Sequence, residues 1–196
     1  FHIDDTAIVE SGATLISPTT LRGKTTVKSG AMVENSIVLD STIESFAQIT
    51  CSHLTSSYVG ENSTVGPFAR LRDARISENC RIGDFVEVKN SIIDEGSKLP
   101  HLLYVGDSDV GKDVNFGCGC VTVNYDGRNK SRTVVKDGAF IGCNTNLVAP
   151  VTVGENAFTA AGSTITEDVP DNALAVARSR QQIKTDWVKI KKPYKR

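Results

Sequence analysis

The sequence predicts an all-β chain wound as a parallel β-helix, on three observations. An aliphatic residue recurs about every six positions, a small residue follows four places later, and Gly, Asp, Glu or Asn fills the steps between them. The first run reads Ile3/Ala7, Val9/Ala13, Leu15/Thr19, Leu21/Thr25, Val27/Ala31 and Val33. The phase slips near residues 34–58, then returns as Val59/Ser63 and Val65/Ala69 and holds through Ile165. A period of six suits neither a helix stripe nor a simple half-buried strand. It suits a coil with three flat faces, each a short strand closed by a tight corner. The aliphatics point inward and stack from coil to coil. The small residue points inward at the corner, where a larger side chain would not fit. Gly, Asn and Asp take positive φ at the corner at little cost. A β-sandwich is the alternative, but its strands alternate over longer spans and would not keep one phase through so many sextets.

Each element follows in order. Residues 1–170 are expected to form the β-helix, interrupted by a polar insertion at 122–134 (Thr-Val-Asn-Tyr-Asp-Gly-Arg-Asn-Lys-Ser-Arg-Thr-Val). Loops on a rigid scaffold are where binding chemistry concentrates. After Val169-Pro170 the repeat ends, leaving a basic tail, 171–196, with Trp187 and a short helix expected around Gln181–Ile190. The tail reads as a solvated end, a cap on the last coil or a subunit clasp.

Composition agrees with this reading. Hydrophobic residues make up 39% of the 196 and aromatics only 6%, so the core is built from small aliphatics. A net charge of −1 gives no reason to expect nucleic acid or a membrane surface as partner. A few well-placed Lys and Arg still suffice for a phosphate. Five cysteines without a CxxC pair read as reduced, mostly buried residues of a cytoplasmic protein. There is no signal peptide and no apolar run of membrane-spanning length. The chain opens on Phe1 rather than Met, so a preceding domain is a natural expectation.

The histidines are His2, His53 and His101. A zinc shell of three imidazoles would need them to converge, and His2 and His53 lie many coils from His101, so no metal is expected. A histidine hydrogen-bonded at a coil corner is the ordinary reading of His101. Its company points elsewhere. Val86 and Val88 take the inward phase, so Glu87 and Lys89 project from one outer face. Arg70 and Arg72 lie one coil earlier and Asn115 one coil later. Such a face serves either solubility or a phosphate clamp with a general base.

Four stretches carry a resemblance: Gly66-Pro67-Phe68-Ala69-Arg70-Leu71-Arg72, Gly83-Asp84-Phe85-Val86-Glu87-Val88-Lys89, His101-Leu102-Leu103-Tyr104-Val105-Gly106-Asp107 and Val123-Asn124-Tyr125-Asp126-Gly127-Arg128-Asn129-Lys130. They resemble the acetyltransferase domain of the bacterial bifunctional glucosamine-1-phosphate acetyltransferase/uridyltransferase family, tightly from Val65 to Trp187. The resemblance implies a left-handed coil and acetyl transfer from acetyl-CoA to glucosamine 1-phosphate, on the route to UDP-N-acetylglucosamine. It makes His101 the base, with Glu87 holding its imidazole. Arg72, Lys89 and Lys130 match residues that grip the sugar phosphate, and Tyr104 and Asn115 match residues that position the sugar. Asn124 and Tyr125 match residues beside the acetyl group and pantetheine arm. The backbone N–H of Cys118 is expected to face the oxyanion. Cys143, Ala161 and Arg178 match coenzyme A contacts, to which Lys184 adds. Family members are homotrimers with shared sites, and a uridyltransferase domain, where present, brings Mg²⁺ and UTP.

The sequence also departs from the family pattern. Gly117-Cys118-Gly119-Cys120 stands where Gly-Ala-Gly-Thr is usual, Cys143 where Ser is, Leu99-Pro100 where Ala-Gly is common, and Leu103 replaces a usual Thr. The Arg72–Lys89 interval is one residue shorter. None of these changes removes a side chain that the chemistry needs. Two other readings compete: an acetyltransferase of another amino sugar, and a non-catalytic oligomerisation module of a nucleotidyltransferase.

Overall fold

The computed structural model describes residues 1–191. The chain winds as the expected left-handed parallel β-helix, a solenoid of about ten coils. Neighbouring coils pair in parallel from His2 on Thr20 to Thr159 on Ala175. The first face runs from His2–Ile3 through Arg70–Arg72 to Thr164–Ile165, and the second from Ile8–Val9 through Ile92–Ile93 to Val151–Val153. The third runs from Thr14–Ile16 through Asn115–Phe116 to Leu174–Ala175. The strands Arg81–Lys89 and Lys98–Gly106 turn the third-to-first corner without a break and join those two faces into one sheet.

Most of the predicted aliphatics form the core, but in the first coil Ile3 and Val9 are exposed and Leu15 is half-buried. Leu21, Val27, Val33, Val59, Ile76, Ile82, Ile93, Ile141 and Val153 are fully buried, with Ala31, Ala47, Ser63, Ser97 and Ala157 filling the corners. The slips have a geometric cause. Early coils repeat every 18 residues, as in His2 on Thr20 and Thr14 on Met32. Around residues 37–58 the repeat is 16, as in Ile37 on His53 and Thr42 on Tyr58, and then it is 17, as in Arg70 on Glu87. A corner loses one residue when a left-handed residue is followed directly by a small inward one. Asp40, Ser56, Asp73, Asn90 and Asp107 take φ between 45° and 49° or so at the first-to-second corner. Behind four of them, Ser41, Ser57, Ser91 and Ser108 each donate to the carbonyl two residues back. The hydroxyls of Ser41, Ser57 and Ser91 also accept an N–H from the next coil, so the shortened corners leave no orphaned backbone.

Several expectations shift. The coil does not stop at Pro170: Leu174–Ala175 pairs with Phe158–Thr159, and Ala173 and Ala175 pack on the core. The tail helix is Trp187–Lys191, later than expected; Asp186, at φ 57°, stands just before it, its carbonyl accepting from Ile190 N–H at 3.0 Å. Residues 192–196 of the tail lie outside the described residues. Cysteines are less buried than expected: Cys80 and Cys120 are buried, Cys51 is half-buried, and Cys118 and Cys143 are exposed on corners. The third-to-first corner also holds Phe68, Phe85 and Leu102 at positive φ, where Gly, Asn or Asp was expected. The Phe68 and Phe85 rings stack there with centroids 5.5 Å apart. Among the described residues no helix is long and apolar enough to cross a membrane.

Candidate functional site

His101 stands on the third-to-first corner, directly above Asp84. Lys98, Asn115, Phe140 and Phe158 pair in register on successive coils, so the residues three places beyond each share one column. Those residues are His101, Cys118, Cys143 and Ala161. The corner hydrogen bonds agree: Leu102 O accepts from Gly119 N–H at 2.9 Å, Cys118 O from Asn144 N–H at 2.8 Å, and Cys143 O from Gly162 N–H at 2.8 Å. Arg178 lies against the top of the column, its Cδ 3.7 Å from where a Cβ on Gly162 would stand. His101 is exposed, and its ring makes no hydrogen bond among the described residues.

The first face extends from this column. Arg72, Lys89 and Gly106 align along its far edge, while Glu87 aligns with Tyr104 in the middle. Glu87 does not hold the imidazole within the chain. Its Oε1 accepts from Arg72 Nη2 instead. The register explains this, because Glu87 stacks beneath Tyr104, three residues along from His101, and Arg72 lies diagonally one coil below. Arg72 Nε is buried and has no partner among the described residues. Asn115 is on the third face, aligned with Lys98, and is not gathered with Glu87 and Lys89. The expected site is therefore two groups, split by a corner.

The insertion is narrower than 122–134. Thr122 is already paired with Leu147 and Thr133 with Ser108, leaving 124–132 outside the ladder. Its tip is self-supporting: Tyr125 bridges Lys130 antiparallel, and Tyr125 Oη donates to Gly127 O at 2.8 Å. Asp126 Oδ1 accepts the N–H of Arg128 at 2.7 Å and of Asn129 at 2.6 Å. The Asn129 N–H first, then that of Arg128, hold this carboxyl below its ordinary value. At the root, Arg132 grips Asp109 with Nε at 2.9 Å and Nη2 at 2.5 Å, and Nη2 also reaches Ser108 O at 3.0 Å.

Beneath the loop lies Asp107, 4% exposed. Asn90 Nδ2 donates to its Oδ1 at 2.5 Å and Asn124 Nδ2 to its Oδ2 at 2.5 Å. Burial pushes this carboxyl up, but the two amides, with Lys130 and Lys89 behind them, bring it net below its usual value. The sequence reading assigned no role to Asp107, Asn90, Arg132 or Asp109. Asp107 and Asn90 fall in a run of Asp and Asn corner residues, where an acid or amide reads simply as a turn-former.

Residues 36–116 match the family described as GlmU-like, C-terminal hexapeptide, and residues 132–167 that described as bacterial transferase hexapeptide. With the solenoid, these matches make the chain similar to bacterial hexapeptide transferases. The similar curated relatives are named bifunctional protein GlmU. That of Caldanaerobacter subterraneus subsp. tengcongensis is 52% identical over 195 residues, covering 97% of this chain and 43% of its own. That of Thermoanaerobacter pseudethanolicus is 55% identical over 192 residues, covering 95% and 42%. The chain spans less than half the length of these relatives and corresponds to their C-terminal domain. A solved structure titled a putative acetyltransferase from Desulfovibrio desulfuricans G20 is similar at 15% identity and a TM-score of 0.49, over 83% of this chain and 56% of that one.

Proposed function

We propose that the chain transfers the acetyl group of acetyl-CoA to the amine of glucosamine 1-phosphate, with His101 as general base. One observation carries the reading. A column of His101, Cys118, Cys143 and Ala161 rises toward Arg178, beside a face bearing Lys89 and Tyr104, with Asn124 and Lys130 on the insertion next to it. A long coenzyme lies naturally along such a column, its thioester at the foot and its phosphates near Arg178 and Lys184. A sugar phosphate suits the Lys-rich edge, where Arg72, Lys89 and Lys130 supply charge and Tyr104 a hydroxyl.

The amine of the sugar is largely protonated at neutral pH and must lose a proton to attack. Imidazole suits that task because it titrates near neutrality. His101 takes the proton, and the freed nitrogen attacks the thioester carbonyl. The oxyanion forms against the Cys118 N–H. The C–S bond then breaks, the imidazolium gives its proton to the departing thiolate, and the nitrogen loses its second proton to solvent through the freed imidazole, leaving the neutral amide. Glu87 reaches the imidazole only by releasing Arg72, a rearrangement that a bound phosphate drawing Arg72 away would favour. Tyr125 lies beside the pantetheine arm.

Asn115 joins the site only from a neighbouring subunit, and we read the protein as a homotrimer with shared sites. Two features support this: the exposed Phe140–Phe158 stack, with centroids 5.0 Å apart, and the exposed Val121 and Val123 across the corner, apolar surface that a second prism would cover.

The test is release of coenzyme A thiol with acetyl-CoA and a panel of amino sugars. Turnover with glucosamine 1-phosphate is expected. A folded trimer that binds coenzyme A but does not turn over this substrate would overturn the reading, and turnover of another amino sugar alone would reassign the substrate. His101→Ala should abolish kcat while coenzyme A affinity stays nearly intact.

A further inference from the structure

We propose that Asp107 is a positioning residue for acetyl transfer, holding the Asn124 side-chain amide with its carbonyl oxygen turned outward into the site. The inference rests on the function proposed above. Asp107 is a corner residue at φ 49°, fixed at both ends: its N–H donates to Lys89 O at 2.9 Å, and its carbonyl accepts from Thr133 N–H at 3.1 Å. That alone would make it a turn-former like Asp40 or Asp73. Two facts set it apart.

The first is its bonding. A carboxylate this buried is costly unless its oxygens are satisfied, and those of Asp107 are satisfied by two side-chain amides from different coils, Asn90 and Asn124. An ionised carboxylate only accepts hydrogen bonds, so each amide must turn its NH₂ toward it. For Asn124 the choice of which amide end faces in is thereby made chemically. The same Nδ2 lies 3.5 Å from Tyr104 Oη, so the amide nitrogen sits between Asp107 and Tyr104. Asn124 Oδ1 is left pointing away from both, an acceptor for an N–H of the coenzyme's arm or of the incoming amine.

The second is the space around it. A Cβ on Gly106 would stand 2.4 Å from Tyr104 Oη and 2.9 Å from Asn124 Nδ2. The absence of a side chain at Gly106 makes the room in which the phenol and amide meet, immediately before the residue that orients the amide. Lys89 and Lys130 lie close enough to Asp107 to favour its charged form.

Asp107→Asn tests the proposal, since Asn keeps the volume and the left-handed conformation but has one acceptor oxygen for two amides, so it no longer fixes which end of the Asn124 amide faces in. It should lower kcat at least tenfold while the Tm moves by only a few degrees and coenzyme A affinity holds. The double variant Asp107→Asn/Asn124→Asp restores an outward acceptor at position 124 and should recover a substantial part of kcat. A single variant with kcat within twofold of wild type overturns the proposal, as does a double variant that recovers nothing. In wild type, the Asn124 side-chain amide protons should exchange slowly with water by NMR, and rapid exchange would overturn it whether or not the variants fold. If wild type does not acetylate glucosamine 1-phosphate, the function above fails, and the exchange measurement still decides the role of Asp107.

Discussion

At the scale of single residues, the cysteines separate into chemically different kinds. Cys80 and Cys120 face the core, and desolvation pushes both thiols up to about 11, so almost no thiolate is present at neutral pH. Cys118 and Cys143 are exposed on adjacent coils of the column above His101. A thiol-specific chromogenic reagent should label those two first, Cys51 more slowly, and Cys80 and Cys120 only after denaturation. Bound coenzyme A should protect Cys118 and Cys143 if it lies along the column. If labelling proceeds equally fast with saturating coenzyme, the ligand does not run there. The residues of this column were legible in the sequence only through resemblance, because nothing in a six-residue period marks which corner faces a ligand. The pairing of Glu87 with Arg72 was not legible at all. It depends on inter-coil register, which the five-residue step at the Asp73-Ala74 corner, from Arg70 to Arg75, hides from a count by sixes.

The insertion shows how an element departs from a repeat without losing order. A polar stretch outside the ladder ordinarily costs conformational entropy to fix. Here the Asx turn at Asp126, the Tyr125–Lys130 bridge and the Arg132–Asp109 pair hold the tip and the root. Because the Asp126 carboxyl is lowered in the fold, its contribution is fully present above the unfolded value, about 3.9, and is lost as pH falls through the folded one. Loop order should therefore persist through mildly acidic solution and fail only below pH 4. Tyr125 fluorescence or loop proteolysis against pH would follow it, and opening near neutrality would contradict the assignment. Asp126→Ala should raise KM for the sugar phosphate several-fold through Lys130 while Tm changes little. The insertion itself was plain in the sequence as a break in the sextets. Its ends were drawn too wide, since Thr122 and Thr133 are polar yet face inward.

For the whole molecule, stability accumulates along one axis. Each coil rests on two neighbours, so a cavity is felt locally and the ends are weakest. Ile82→Ala, in a fully buried column, should cost about 2–5 kcal/mol by denaturant unfolding, and the loss of amide protection should centre on its own and adjacent coils. The fold was legible almost entirely, because stacked aliphatics impose a period that no sandwich keeps. What escaped was the positive-φ Phe68, Phe85 and Leu102, whose large side chains violate the usual corner preference and find room by lying outward, the two rings stacked on each other. One further property follows from how the three corners differ. Between the second and third faces the step stays at six residues, as from Thr42 to Gln48 and from Val134 to Phe140. Between the first and second it is six, five or, at the insertion, thirteen, as from Val121 to Val134. The third-to-first edge also shortens to five, as from Met32 to Ile37 and from Gln48 to His53, so two edges of the prism vary in length while the second-to-third edge does not. An engineer grafting a foreign peptide or reporter would do well to cut at the first-to-second edge, which already carries the insertion, between Ser56 and Ser57 for example, and leave the second-to-third edge uncut.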